Sequence, residues 1–166
     1  MVTKQVPLEV QVRSIPAATI AYIRHVGPFR GDTALFRNLF ERLFAWGDSE
    51  GLLDPGLPYL AIYHDHPDLT PPDRQRLDVA LLVPAGTVPS GEVSVRTLDE
   101  GLFATVRVYV RFEDYFAQWD ALVGGWLPGS GYQADFRPAM EFYRNDPETD
   151  PEGRFDVEIC LPVRPV

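Results

Sequence analysis

The chain repeats itself, and no other feature constrains its fold as much. Val12-Arg13-Ser14-Ile15 is echoed 83 residues later by Val95-Arg96-Thr97-Leu98. In the same register Ala21 meets Ala104, Arg24 meets Arg107 and Phe29 meets Phe112. Pro58-Tyr59-Leu60-Ala61-Ile62-Tyr63 is answered by Pro138-Ala139-Met140-Glu141-Phe142-Tyr143, and Pro67 by Pro147. Asp78-Val79 and Pro84 find counterparts in Asp156-Val157 and Pro162. Each match is short, but they fall in one shared order, which predicts a duplicated unit. The expected copies run over residues 8–84 and 93–163, within one domain spanning 1–166. A Gly- and Pro-containing linker at 85–92 joins them.

Each copy reads as strand, helix, strand, strand. Thr19 to Val26 is rich in β-branched residues and is broken by Gly27-Pro28. Asp32 is a suitable N-cap, and Leu35, Phe36, Leu39, Phe40, Leu43 and Phe44 form a helical stripe that Gly47 is expected to end. The second stripe is Tyr115, Phe116, Trp119, Leu122, Val123 and Trp126, with Gly124-Gly125 and Pro128 as its expected stop. The later strand pairs are Tyr59–His64 with Leu77–Val83 and Met140–Arg144 with Phe155–Leu161. The expected fold class is α+β: a duplicated strand–helix–strand–strand module with pseudo-two-fold symmetry, its antiparallel sheets curved around a central groove.

Strand periodicity assigns faces. Ala21, Ile23, Ala104, Val106 and Val108 are small and apolar, as expected beneath a helix. By size and hydrophobicity Leu60, Ile62, Met140 and Phe142 are placed on that helix side, with Val79, Leu81, Val157 and Ile159. The face away from the helices then carries Tyr22, Arg24, Tyr59, Tyr63, Phe103, Arg107, Tyr109, Glu141, Tyr143, Glu158 and Cys160. Such residues suit the aromatic wall of a small-molecule pocket. They equally suit ordinary half-exposed strand positions, and periodicity does not choose between the two.

One residue breaks the repeat. Glu141 stands where the first copy has Ala61, and Glu158 stands where it has Ala80. If the last two strands pair so that 141 lies across from 158, the two carboxylates need a proton, an arginine (Arg107 or Arg24) or a cationic ligand between them. A carboxyl among aromatic rings has a raised pKa until a cation arrives, which suits a cation selector or a general acid or base. The alternative for Glu141 is a solvated strand position.

Several segments together resemble the GyrI-like (gyrase-inhibitor-like) effector-binding family, the ligand domains of AraC-type and MerR-type regulators and their stand-alone relatives. Tyr22-Ile23-Arg24-His25-Val26-Gly27-Pro28-Phe29 is similar to the family's Y-x-R-H-x-G-P-Y segment. Trp126-Leu127-Pro128-Gly129-Ser130-Gly131-Tyr132 matches its second-helix end. Pro138 to Pro147 is similar to P-x-x-E-x-Y-x-N-D-P, and Asp156 to Val163 resembles its last strand. Val110-Arg111 departs from the pattern where the first copy has Gly-Pro. The resemblance implies a pocket between the copies for bulky lipophilic molecules, often cationic, with the family's pocket glutamate at Glu141. The expected ligand-binding set is Tyr22, Tyr59, Tyr63, Phe103, Tyr109, Trp126, Glu141, Tyr143 and Glu158. Some stand-alone members resemble hydrolases that open strained cyclopropane rings. Glu141 would then be catalytic, as acid or base. A third reading is a module that restrains a DNA topoisomerase.

Composition narrows the partners. Net charge is -9, with 24 Asp and Glu against 15 Lys and Arg, which disfavours a nucleic-acid surface. No helix-turn-helix is read in the chain, so direct DNA binding is not expected. Met1 to Val12 contains no signal-peptide core, and no apolar run is long enough to span a bilayer. The lone Cys160 fits a reducing compartment, so the expectation is a cytoplasmic protein without membrane contact. No cofactor is expected. His64-Asp65-His66 has a metal-like spacing without a third ligand, and is read as a solvated turn. His25 is read as satisfying a loop carbonyl and Cys160 as a passive thiol.

Overall fold

The echoed tetrapeptides around Val12 and Val95 both lie in edge strands, and how those strands pair sets the architecture. The computed structural model describes residues 8–166; residues 1–7, which hold much of the Met1–Val12 segment, lie outside the described residues. The elements run β1 (Gln11–Ile15), β2 (Ala18–Val26), α1 (Thr33–Ser49), β3 (Tyr59–Tyr63), β4 (Arg76–Leu82), β5 (Ser94–Leu98), β6 (Gly101–Val110), α2 (Phe112–Asp120), β7 (Tyr132–Ala134), β8 (Ala139–Tyr143) and β9 (Phe155–Pro165).

The strands form one antiparallel sheet in the order β1-β6-β9-β8-β3-β4-β2-β5, with β7 added against β9. That order reads the same from either end once the echoed strands are equated, which is consistent with a duplicated unit. The leading strands are exchanged: β1 pairs with β6, placing Val12 opposite Ala104, and β5 pairs with β2, placing Val95 opposite Ala21. Both registers are the same in repeat terms. Each half therefore completes its sheet with a strand from the other.

The fold is α+β, a curled half-barrel sheet with two helices on one face. Asp32 caps α1 by accepting from the Leu35 backbone N–H at 3.0 Å, and α1 buries Leu39, Phe40 and Leu43. Gly47 does not end this helix, which runs to Ser49. Gly47 is buried inside it because a Cβ there would meet Leu53 at 2.8 Å and Leu81 at 2.9 Å. The left-handed residue just beyond the helix is Gly51, with φ 69°. The α2 end also differs from expectation. Gly124-Gly125 does not stop the chain's winding; α2 passes into a π-helical turn over Ala121–Trp126.

The helix-covered face packs Ala21, Ile23, Ala61, Val79 and Leu81 against α1, with Tyr59, Tyr63 and Tyr143 at its edge. Ala104, Val106, Val157 and Ile159 lie on the same face under the second half. The opposite face holds Ile20, Leu60, Ile62, Ala80, Phe103, Met140 and Cys160, with Tyr22 and Phe142 beside them. Among the described residues no helix covers it; the curl of the sheet buries it. The face assignment for β3 and β8 is thus corrected: Leu60, Ile62, Met140 and Phe142 lie away from the helices, and Tyr59, Tyr63, Glu141 and Tyr143 lie beneath them. The hairpin register is also corrected. Glu141 pairs with Ile159, whereas Glu158 pairs with Phe142 and Arg107. The two glutamates are on opposite faces and do not meet.

Candidate functional site

Strands β3 and β8 are the central pair of the sheet, and Ala61 stands directly across from Glu141. Two repeat-equivalent positions meet here, and the site has room for one acid, since a second directly opposite would repel it. Tyr63 and Tyr143 are also repeat equivalents, each closing its echoed hexapeptide. Both hydroxyls donate to Glu141 Oε1, Tyr63 in a short contact and Tyr143 at 3.0 Å. From α2, the Trp119 indole N–H donates to Oε2 at 3.0 Å. Glu141 is completely buried.

A carboxyl without water pays for its charge in lost solvation. Burial therefore raises the Glu141 pKa, and the hydrogen bonds from Tyr63 and Tyr143 hold the rise to about 7. The same desolvation, with the carboxylate beside them, raises both phenols well above their ordinary value. Among the described residues no basic side chain pairs with Glu141.

Aromatic rings close round this carboxyl. Phe29, in the loop before α1, lies 5.5 Å from the Tyr63 ring. Phe40 of α1 meets Tyr143 edge-on at 5.8 Å, and Tyr143 stacks on Tyr59 at 5.3 Å. Tyr59 donates to the Asn145 carbonyl at 2.7 Å, and burial pushes its phenol up to about 12. Arg30 lies 5.0 Å from the Phe116 ring centroid, tying the loop before α1 to α2. The two helices are unequal walls. Seventeen-residue α1 is capped and anchored by buried residues; nine-residue α2 lacks a side-chain cap, has no fully buried residue and leads into the π turn.

Of the expected ligand-binding set, the structure brings Tyr59, Tyr63, Glu141 and Tyr143 together. Tyr22 and Phe103 lie on the opposite, curled face. Tyr109 is exposed there and donates to Asp150 at 2.6 Å. Glu158 pairs with Arg13. Trp126 stacks on Tyr132 at 6.2 Å. Trp119 was legible only as part of the helical stripe; its signal was an indole N–H on the inward side of a helix.

The sequence reading also missed a second buried acid. Asp78 interrupts the apolar run Leu77–Leu82 and is completely buried. It accepts from Arg24 at 2.8 and 3.0 Å, from Arg96 at 3.0 Å, and sits 2.6 Å from His64 Nε2. Both guanidiniums flank the Tyr22 ring, at 5.6 and 4.9 Å. Desolvation pushes the Asp78 carboxyl up, but the hydrogen bonds and charges of His64 and Arg24 outweigh it and hold the pKa at about 2. His64 is thus not part of a solvated turn. His25 meets the Pro28 carbonyl at 3.2 Å. Cys160 is buried, and burial raises its thiol pKa. Among the described residues no cluster of three metal-ligating side chains occurs, and no helix is long and apolar enough to cross a membrane.

The sequence model of the GyrI-like small molecule binding domain matches residues 8–164. A relative from Edwardsiella piscicida named DNA gyrase inhibitor is 35% identical over 161 residues, 95% of this chain and 99% of its own. Among solved structures, EcmrR in a DNA complex superposes with a TM-score of 0.79 at 17% identity, over 95% of this chain; the match spans 58% of the EcmrR chain. The structure of SAV2435 bound to tetraphenylphosphonium superposes with a TM-score of 0.63 at 16% identity, covering 95% of this chain and 94% of that one. At these identities the structural likeness concerns the fold alone.

Proposed function

Because the chain belongs to the GyrI-like small-molecule-binding domain family, we propose that it binds lipophilic cations between α1 and α2, with Glu141 as the counter-charge. One observation carries this reading. Glu141 is buried, accepts three hydrogen bonds, and has no cation beside it among the described residues. A buried charge normally has an opposite charge within reach. Here the ligand supplies it. The surrounding rings offer their faces to the same positive charge, and the low dielectric strengthens the attraction. Trp119, Tyr63 and Tyr143 hold the carboxyl in place until the cation arrives.

Tetraphenylphosphonium, the ligand in the SAV2435 structure, is a suitable probe, read by the fluorescence of the three tryptophans. Glu141→Gln is expected to weaken binding by about 2 kcal/mol or more, roughly thirtyfold. Equal affinity in the variant would overturn the assignment. A hydrolytic role draws on the same carboxyl, and turnover of a cyclopropanoid electrophile that disappears in Glu141→Gln would establish it.

A second reading follows from the 35% identical relative named DNA gyrase inhibitor. A net charge of -9 suits a basic partner surface. Addition of the purified protein to a gyrase supercoiling reaction tests it. Inhibition that persists in Glu141→Gln would separate this role from cation binding.

A further inference from the structure

Two residues along the strand from Glu141, at Tyr143, begins the lining of a cavity of about 490 Å³, within the roughly 300–1,000 Å³ common for small-molecule sites. Its lining includes Leu53 and Leu57, from the loop after α1, and Tyr59 and Tyr143, whose rings stack on each other. Tyr143 belongs to both places. Its hydroxyl donates to Glu141, and the same residue lines the cavity. Leu53 and Leu57 remain 42% and 47% exposed. The loop that carries them is seated rather than free, because Leu53 packs where Gly47 has no side chain. Two carboxylates, Asp54 and Asp146, and one guanidinium, Arg144, also line the cavity.

We propose that this cavity is a second subsite, which takes the unbranched apolar limb of an amphiphilic cation whose charged head rests on Glu141. The inference rests on the reading of Glu141 given above. A compact cation uses Glu141 alone; a head with a tail uses both places, because one residue, Tyr143, walls both. Charge selects the sign of the amphiphile. An anionic head would meet Glu141 and a lining with more carboxylates than guanidiniums, whereas a cationic head is attracted by each of those acids.

The test is a homologous series of alkyltrimethylammonium ions, butyl to decyl, titrated below their micelle concentrations alongside tetraphenylphosphonium, against the full chain. In the wild-type protein affinity is expected to rise about three- to fourfold per methylene until the cavity is filled. Leu57→Gln and, separately, Leu53→Gln are expected to flatten that rise while leaving the butyl homologue and tetraphenylphosphonium within about twofold of wild type. Glu141→Gln is expected to weaken every homologue by a similar factor. If tetraphenylphosphonium binds through Glu141 but affinity does not grow with chain length, or grows equally in both leucine variants, the subsite is overturned and the Glu141 reading stands. If neither tetraphenylphosphonium nor any homologue binds, both are overturned.

Discussion

Asp78 and Glu141 are both completely buried carboxylates on the same sheet, yet their surroundings drive them in opposite directions. Asp78, on the curled face, sits among two arginines and a histidine and stays ionised, with a pKa of about 2. Glu141, on the helix-covered face, receives only neutral donors and rises to about 7. Burial alone therefore does not say what an acid is for. The charge balance around it does. Asp78 is neutralised within the fold and holds β2, β4 and β5 together; Glu141 has no such counter-charge among the described residues.

The largest expected effect breaks the self-contained member of this pair. Asp78→Asn leaves Arg24 and Arg96 without their buried partner. It is expected to cost about 3–4 kcal/mol, the lower part of the range for a broken buried ion pair because both guanidiniums reach solvent. Urea denaturation at neutral pH measures it. Under the same conditions Glu141→Gln is expected not to destabilise the protein, since it removes a charge that has no partner.

The second effect is a pH dependence of opposite sign. The native Glu141 carboxyl binds its proton more tightly than the unfolded one, from 4.5 to about 7. Between those values unfolding releases a proton, so stability falls as pH rises. The loss is about 3 kcal/mol, complete above pH 7 and absent below 4.5. Asp78 does the reverse: its contribution is fully present above 3.8 and is lost as pH falls through about 2. Urea midpoints for wild type and Glu141→Gln from pH 4 to 8 are expected to converge at acid pH and separate above it. Over the same range the affinity for tetraphenylphosphonium is expected to rise up to about tenfold per pH unit below 7, then level off.

Smaller changes sharpen the role of the neutral donors. Trp119→Phe removes one hydrogen bond to the carboxyl and is expected to raise the Glu141 titration midpoint further, with about 1 kcal/mol lost at neutral pH. The wild-type-minus-variant stability curve against pH reports it. Arg30→Gln removes only the contact across to Phe116 and is expected to cost about 0.5 kcal/mol. Amide exchange in α2 should rise with it and exchange in α1 should not.

The sequence by itself determined the α+β class, the presence of the two helices and the oddity of one acid. Its echoes pass through the same registers the sheet uses, as with Val12 opposite Ala104 and Val95 opposite Ala21, because strand pairing is written in the same residues that repeat. Glu141 stood out because its counterpart is Ala61. Only the tertiary structure decided which face that acid occupies. In β3, Leu60, Ala61 and Ile62 are all fully buried, so the alternation that reveals a one-sided strand is absent. Side-chain size then pointed to the wrong side, since the helices pack on Ala61 and the flanking tyrosines while the larger aliphatics fill the curl of the sheet. The convergence of Tyr63, Tyr143 and Trp119 on one carboxyl, and of Arg24, Arg96 and His64 on another, joins residues from three and four elements or loops. No local spacing encodes such a meeting; it exists only where the folded sheet and helices bring those side chains into one place.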